Sequence, residues 1–550
     1  MFKKTLSFVI ALALAMSMCM CCVPAMAETN ALGWEVPEET LKISLFYNSS
    51  NFGPTEEEKI GMANMHDYIL ETCNVDYEII TTDGDADEQL NLMLASNSYP
   101  DIIVSASTIN RQKFVDQGRA QDLTDYLPGL ENLNHRMGGM LGLYADENGR
   151  IFYLPQSFSN LMDLPDYSAH IRYDEWVEIG SPVIQTPEDY FNALNAVYEL
   201  HPTTKDGEPR YTLGLYNQGM PENLSGYWGL QLGWKVNEDN TLTYWTHTDE
   251  GKKMAKFFNN WWRTGTMDPD SFTNAWNDLR TKISQERVIG MIGGWWIGYN
   301  AGHEIWSLTD SDWFEEKRFI QVGFKDEDAE NAYVTLKNNA GDSWVIITDK
   351  CQNVEGVLKW IDFTLSDKGI ALTNWGLPNQ IQSLKNPENT ICTWELNEDG
   401  SWKFNDTAKE QLITETWDYN EAGLFGGVAY AIMEYKGRFD DGVHCLWTNQ
   451  MWYEENKWKG IMFENMAGTI FDGTALLFES LTMDEDVTFA KTAVADAWKQ
   501  YYPLAVMAGS DEEFETAWSA LQEAVEDAGL DVYTAYRTAN YQYNLNAMSN

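Results

Sequence analysis

From Leu41 onward the chain alternates short apolar runs with helical stretches, and this alternation constrains the fold class most. Leu41-Lys42-Ile43-Ser44-Leu45-Phe46-Tyr47 places its largest apolar residues at period two, the repeat of a strand with one buried face. Glu56 to Thr72 follows as a helix and Val75 to Thr81 as a second strand. Asp85 to Ser96 is a helix with Leu90, Met93 and Leu94 on one face, and Asp101-Ile102-Ile103-Val104 is a short buried strand. Such βα units build a mostly parallel α/β sheet. Ligands of these sheets bind in loops beyond the carboxyl ends of strands. Here the loops are Asn48–Ser50, Asp83–Asp85 and Ser105–Thr108.

Further along, Tyr153-Leu154-Pro155-Gln156 ends an extended stretch, and Asp174 to Ile179 reads as a helix. Glu188 to Leu200 starts as a helix with Thr186 as cap and Pro187 at the first position. Val288 to Ile292 is a strand running into Gly293-Gly294-Trp295-Trp296. Ser343 to Thr348 is another strand, before a helix over Val354 to Leu365. Ser510 and Glu513 form a capping-box pattern ahead of an apolar face of Phe514, Trp518, Leu521 and Val525, which Gly529 stops. No long low-complexity linker and no short-period repeat is evident. The 550 residues exceed one ordinary core, so two lobes joined by several crossings are expected.

Residues 1–27 read as a secretory signal peptide. Lys3 and Lys4 precede an apolar run from Leu6 to Cys19, too short to span a bilayer, and Ala25-Met26-Ala27 offers small residues at the cleavage positions. A lipid anchor on Cys19, Cys21 or Cys22 is the alternative, although Met18 and Met20 stand where a small residue is normally required. The remainder carries 35 basic against 84 acidic residues, a net charge of −49. That balance argues against nucleic acid and anionic membrane partners, because phosphates are neutralised by basic surface. Four cysteines remain, Cys73, Cys351, Cys392 and Cys445, far apart and without metal-ligand spacing. One or two disulfides are compatible with an oxidising compartment, with pairing undetermined.

Aromatic residues make up 13% of the chain, and tryptophan recurs beside polar residues and glycine: Tyr227-Trp228, Trp261-Trp262, Trp295-Trp296, Trp447 and Trp452. A sugar ring asks for this combination, since its C–H face packs on a π-system while its hydroxyls take hydrogen bonds. Most such tryptophans nevertheless fill cores. Other chemistries find little support. The seven histidines are scattered, and His303-Glu304 lacks the second histidine of a zinc-protease helix. There is no paired-cysteine zinc pattern, P-loop or nucleophile elbow, and the glycines over 290–298 do not follow a dinucleotide spacing. Gly293-Gly294 either lets two tryptophans project into a cleft or forms a bulge in a core strand.

Several segments together resemble the extracellular solute-binding proteins of ABC transporters. The group is the large family 1 that includes maltose-binding protein, and within it the sugar-binding lipoproteins of Gram-positive bacteria related to alginate-binding proteins. The segments are Leu94-Ala95-Ser96-Asn97-Ser98-Tyr99-Pro100-Asp101-Ile102-Ile103, Gly149-Arg150-Ile151-Phe152-Tyr153-Leu154-Pro155, Ile171-Arg172-Tyr173-Asp174-Glu175-Trp176, Arg287-Val288-Ile289-Gly290-Met291 and Val354-Glu355-Gly356 leading into Asp362-Phe363. The last is the terminal Trp518 to Gly529-Leu530-Asp531. The resemblance implies a two-lobed periplasmic-binding-protein-like fold of type 2, with a ligand cleft between the lobes that closes on the solute. The first lobe would hold 40–150 plus 318–385, the second 151–317 plus 386–550. Carried over by position, the ligand-binding residues would be Asn48, Ser49, Ser50, Ser105, Ser107, Thr108 and Gln156, with Tyr227, Trp228, Trp295 and Trp296 as stacking aromatics. The implied partners are an oligosaccharide and the permease subunits of an ABC transporter, with the protein itself a monomer. Relatives often bind structural calcium in a loop rich in Asp, Asn and Gly. The corresponding stretch here, His201-Pro202-Thr203-Thr204-Lys205-Asp206-Gly207-Glu208-Pro209-Arg210, has two carboxylates and two cations, so no calcium and no other cofactor is expected.

Two rival readings remain at this stage. A secreted glycoside hydrolase needs two carboxyl groups across the scissile bond, and 84 acidic residues leave room for such a pair. A binding protein for peptides, lipids or modified amino sugars would also use the aromatic clusters, and the negative charge suits a cationic peptide.

Overall fold

A computed structural model describes residues 29–48, 56–82, 84–105, 107–146, 148–159, 165, 167–301, 306, 317–337, 341, 343–379, 381–382, 390–405, 428–440, 445 and 457–549. The leader, Ser49, Ser50, Asp83, His303-Glu304, Trp447 and Trp452 lie outside these residues. Contacts divide the chain into two compact units, residues 1–105 with 347–432 and residues 106–346 with 433–550. Residues 106–150 and 318–346, expected in the first lobe, group with the second unit, and 386–432 groups with the first.

In the first unit β1 (Leu41–Asn48) lies between β2 (Val75–Ile80) and β3 (Ile102–Ser105), parallel to both. Helix α1 (Glu56–Cys73) and helix α2 (Ala86–Ser96) make the crossovers, as the alternating pattern requires. Leu41, Ile43 and Leu45 are buried while Lys42 is exposed, the alternation read from the sequence. Asp85 caps α2, and Leu90 and Leu94 face inward. Asp101 ties β1 to the start of β3: its Oδ2 accepts from the Ser44 N–H at 3.0 Å and the Ser44 hydroxyl at 2.6 Å. The later segment joins the same core. The Tyr77 hydroxyl donates to the Tyr430 carbonyl at 2.9 Å, and Trp34 packs edge-on to Trp360 at 5.1 Å.

The second unit opens with α3 (Thr108–Asp116) and the short strands β4 (Leu154–Pro155) and β5 (Ser157–Phe158). Its sheet contains β6 (Tyr167–Arg172), β7 (Tyr211–Leu215) and β8 (Val288–Gly294), with α4 (Pro187–Leu200) between β6 and β7. Helices α5 (Asp249–Trp262) and α6 (Trp276–Ser284) lead to β8, and α7 (Trp295–Ala301) follows it without a break. With β9 (Phe319–Val322) the strand order is β9-β6-β8-β7. β8 runs parallel to β7 and antiparallel to β6. Thr186 and Asp189 form the full capping box at the start of α4. Three helices close the chain: α8 (Glu485–Val506), α9 (Asp511–Asp527) and α10 (Leu530–Ser549). Phe514, Trp518, Leu521 and Val525 are all buried in one core with Trp245, Trp498 and Tyr502. Ser510 caps α9 by accepting from Glu513 N–H, whereas the Glu513 carboxylate takes the Gly509 N–H one residue upstream. Among the described residues none of Cys73, Cys351, Cys392 and Cys445 is in a disulfide. Among the described residues no helix is long and apolar enough to cross a membrane.

Candidate functional site

The register of the second sheet gathers three chain segments at one end. Leu215, the last residue of β7, lies opposite Ile292 of the parallel strand β8, and Gly294 of β8 lies opposite Tyr167 at the start of antiparallel β6. Trp295 and Trp296 therefore leave the sheet beside Tyr167 and the loop after β7. Trp295 is 44% exposed, and no other tryptophan among the described residues is classed as exposed. Trp296 is half-buried, its ring edge-on to Tyr167 at 5.3 Å and to Trp295 at 6.1 Å. The two glycines create this geometry. A Cβ on Gly294 would stand 2.5 Å from the Trp296 ring, and one on Gly293 would stand 2.8 Å from Ile297. Trp296 can fold back over the strand only because Gly294 has no side chain, leaving Trp295 to face outward.

A buried polar chain supports the glycines. His170 Nε2 lies 3.2 Å from the Gly293 carbonyl and 3.1 Å from Ser168 Oγ. The Gln321 amide donates to the same Ser168 hydroxyl at 2.9 Å and to the Pro165 carbonyl. Burial holds the His170 imidazole neutral, its pKa lowered to about 3, so its ring is a neutral donor to Gly293.

The loop after β7 is where the backbone is most strained. Tyr216 N–H still donates to the Ile292 carbonyl at 3.1 Å. Then Asn217, Gln218, Gly219 and Met220 take φ of 47°, 58°, 80° and 48°, four left-handed residues in series. Each non-glycine residue in that conformation costs about 1–2 kcal/mol, and strain of this kind gathers at binding sites. Gln218 Oε1 is shielded from solvent and accepts no hydrogen bond, while Asn217 is exposed. Sequence reading passed over this loop; the polar run Asn217-Gln218-Gly219 ahead of Pro221 was the only local signal.

Gln156 follows β4 and is 7% exposed. Its N–H donates to the Ser343 carbonyl at 2.9 Å, and its carbonyl accepts from Glu434 N–H at 2.6 Å. Glu434 is itself buried, with Lys436 Nζ at 3.3 Å. This carboxylate beside Gln156 was also missed, being distant in sequence. In the first unit, Asn48 and Ser105 are register partners at the carboxyl ends of β1 and β3. Ser107 caps α3 by accepting from Asn110 N–H, and Thr108 is the first residue of that helix.

Tyr227 and Trp228 sit elsewhere, inside the core of the second unit, with exposures of 0% and 2%. The Tyr227 hydroxyl donates to the Val322 carbonyl at 2.9 Å and accepts from Ala169 N–H at 3.1 Å, so both its functions are spent. Its ring stacks on Phe324 at 4.0 Å, and Trp228 packs on Phe257 and Phe258. Packing, not ligand contact, accounts for both, and the same holds for Trp261, which is 1% exposed. An edge of Trp228 reaches a surface recess of about 420 Å³, whose Lys252, Lys253 and Lys256 all pair with carboxylates. The 201–210 stretch is a turn closed by Thr204 N–H on the Glu208 carbonyl, with Asp206 and Glu208 exposed. Arg210 turns inward from it to Glu175 at 2.5 Å.

No protein-family model matches the chain, and no curated protein matches it by sequence. Solved structures do match. An ABC-transporter substrate-binding protein of S. pneumoniae, FusA in complex with kestose, is 16% identical with a TM-score of 0.65, over 92% of this chain and 100% of that one. The alginate-binding protein AlgQ2 is 13% identical with a TM-score of 0.61, over 92% and 99%. An HMO-binding solute-binding protein of an ABC transporter from Bifidobacterium longum infantis is 13% identical with a TM-score of 0.62, again over 92% and 99%. The fold of this chain is that of the extracellular solute-binding proteins of ABC transporters.

Proposed function

We propose that this chain binds an oligosaccharide outside the cytoplasm and delivers it intact to the permease of an ABC transporter. One observation carries the reading: exposed Trp295, flanked by Trp296 and Tyr167, stands at the carboxyl end of β7 and β8 beside the left-handed loop 216–220. The indole face takes the C–H face of a sugar ring, and Asn217 and Gln218 take hydroxyls. Asn48, Ser105 and Gln156 are further hydroxyl-binding residues in this reading, together with Ser49, Ser50, Ser107 and Thr108. The matched proteins bind kestose, fructo-nystose, alginate and HMO, which supports the substrate class. The two compact units are the two lobes, the protein acts as a monomer, and it holds its sugar without cleaving it. Residues 1–27 direct export and are removed after Ala27, with acylation at Cys19, Cys21 or Cys22 as the alternative. Mass spectrometry of the exported chain distinguishes the two.

Calorimetry and thermal shift against kestose, nystose, lacto-N-biose, mannotriose, xylotriose and alginate oligosaccharides test the reading. A ligand at 100 times its dissociation constant adds about 2.7 kcal/mol of stability. Trp295→Ala weakens the best ligand by about 1–3 kcal/mol, the range of stacking losses. No shift with any sugar, but one with a cationic peptide, overturns the proposal. Release of reducing ends would replace binding by hydrolysis.

A further inference from the structure

β7 is the edge strand of its sheet, and the chain returns along its open side. Thr212 N–H donates to the Thr266 carbonyl at 2.8 Å, Asp268 N–H to Leu213 at 2.9 Å, and the Asn274 amide to the Leu215 carbonyl at 3.2 Å. The last of these bonds grips the residue just before Tyr216 and the strained loop. What fixes the returning segment is a charge. Lys282, in the last turn of α6, sends its ammonium into a nest of four oxygens: Asp268 Oδ1 at 2.9 Å and Oδ2 at 2.7 Å, Asp270 Oδ2 at 2.9 Å, and Asn274 Oδ1 at 3.0 Å. The Asp268 side chain is 0% exposed and that of Lys282 12%. The Asn274 amide also donates to Asp268 Oδ2 at 2.8 Å, so the group that holds β7 is oriented by the nest.

We infer that Lys282 is a built-in cation that positions the sugar-binding loop 216–220 through Asp268 and Asn274, without touching ligand itself. The inference rests on the reading above. A buried carboxylate keeps its place only with its counter-charge. When that charge is withdrawn, Asp268 must turn to solvent, Asn274 loses its orientation, and the last carbonyl of β7 is released.

The experiment compares full-length exported protein with Lys282→Met, Lys282→Arg and Lys282→Ala, using the sugar from the panel with the largest shift. Lys282→Met weakens that sugar between about threefold and thirtyfold, measured where the variant is fully folded by circular dichroism. Lys282→Arg, which keeps the charge, recovers part of the loss. Lys282→Ala, which also removes the charge, shows a loss like that of Lys282→Met. A folded Lys282→Met with native affinity overturns the inference. If Trp295→Ala weakens binding while the Lys282 variants do not, this inference falls alone. If the native protein binds no sugar, both readings fall.

Discussion

Tyr227-Trp228 and Trp295-Trp296 are two aromatic pairs flanked by glycine, and they have opposite fates. The first is sealed in the core of the second unit, hydroxyl and rings fully used. The second caps the end of a strand with one indole outward. The difference lies in what precedes each pair. Gly226 lies in a 3-10 turn against the 333–334 segment, where a Cβ would stand 2.2 Å from the Tyr333 carbonyl oxygen, and the turn drives both rings inward. Gly293 and Gly294 are the last residues of a buried strand, so the helix that follows starts at that strand's carboxyl end. An aromatic pair is thus sealed in the core or turned to the surface according to where its strand or turn ends.

The comparison can be broken by substitution. Trp228→Ala should destabilise the protein by about 3–5 kcal/mol, as a large cavity in a packed core does. Urea unfolding measures it, and a loss below that of a surface residue would show that Trp228 is not core. Tyr227→Phe should cost about 1–3 kcal/mol, because Ala169 N–H and the Val322 carbonyl lose their shared partner.

Beneath the second pair, His170 sharpens the contrast through pH. Its folded pKa of about 3 lies below the unfolded value of 6.5, so the unfolded chain binds the extra proton between those values. Stability contributed by neutral His170 is complete above pH 6.5 and is lost as pH falls toward 3. At pH 5 the loss is about 2 kcal/mol. His170→Gln should flatten the stability profile over that window, and an unchanged slope would refute the assignment. The smallest effect is expected at the exposed indole: Trp295→Ala should change folding stability by under about 0.5 kcal/mol, while weakening sugar. A large drop in melting temperature would place Trp295 in the core instead.

Much of the fold was legible because its signals are local. The period-two run at Leu41, the Thr186-Pro187 start and the Phe514 to Val525 face each declare themselves within one element, and each appears as read. Asn48 and Ser105 were legible as strand-end positions of a parallel sheet, whereas their pairing is seen only in the structure. The fates of Trp228 and Trp295 were not legible, because burial is decided by segments remote in sequence, such as Phe324 over Tyr227. Glu434 beside Gln156 and the Lys282 nest were hidden for the same reason. One repeat was overlooked. Trp234-Lys235-Val236-Asn237-Glu238-Asp239-Asn240-Thr241 and Trp394-Glu395-Leu396-Asn397-Glu398-Asp399-Gly400-Ser401 build the same hairpin turn, one in each unit. In both, the aspartate accepts from the residue two ahead, at 3.1 Å and 2.9 Å. Their separation in sequence hides the likeness.

Two buried cysteines carry a consequence for the reactivity of the folded chain. Cys73 and Cys351 are both buried. Burial lifts the Cys73 thiol to about 12 and the Cys351 thiol to about 11, so neither supplies thiolate for scrambling near neutral pH.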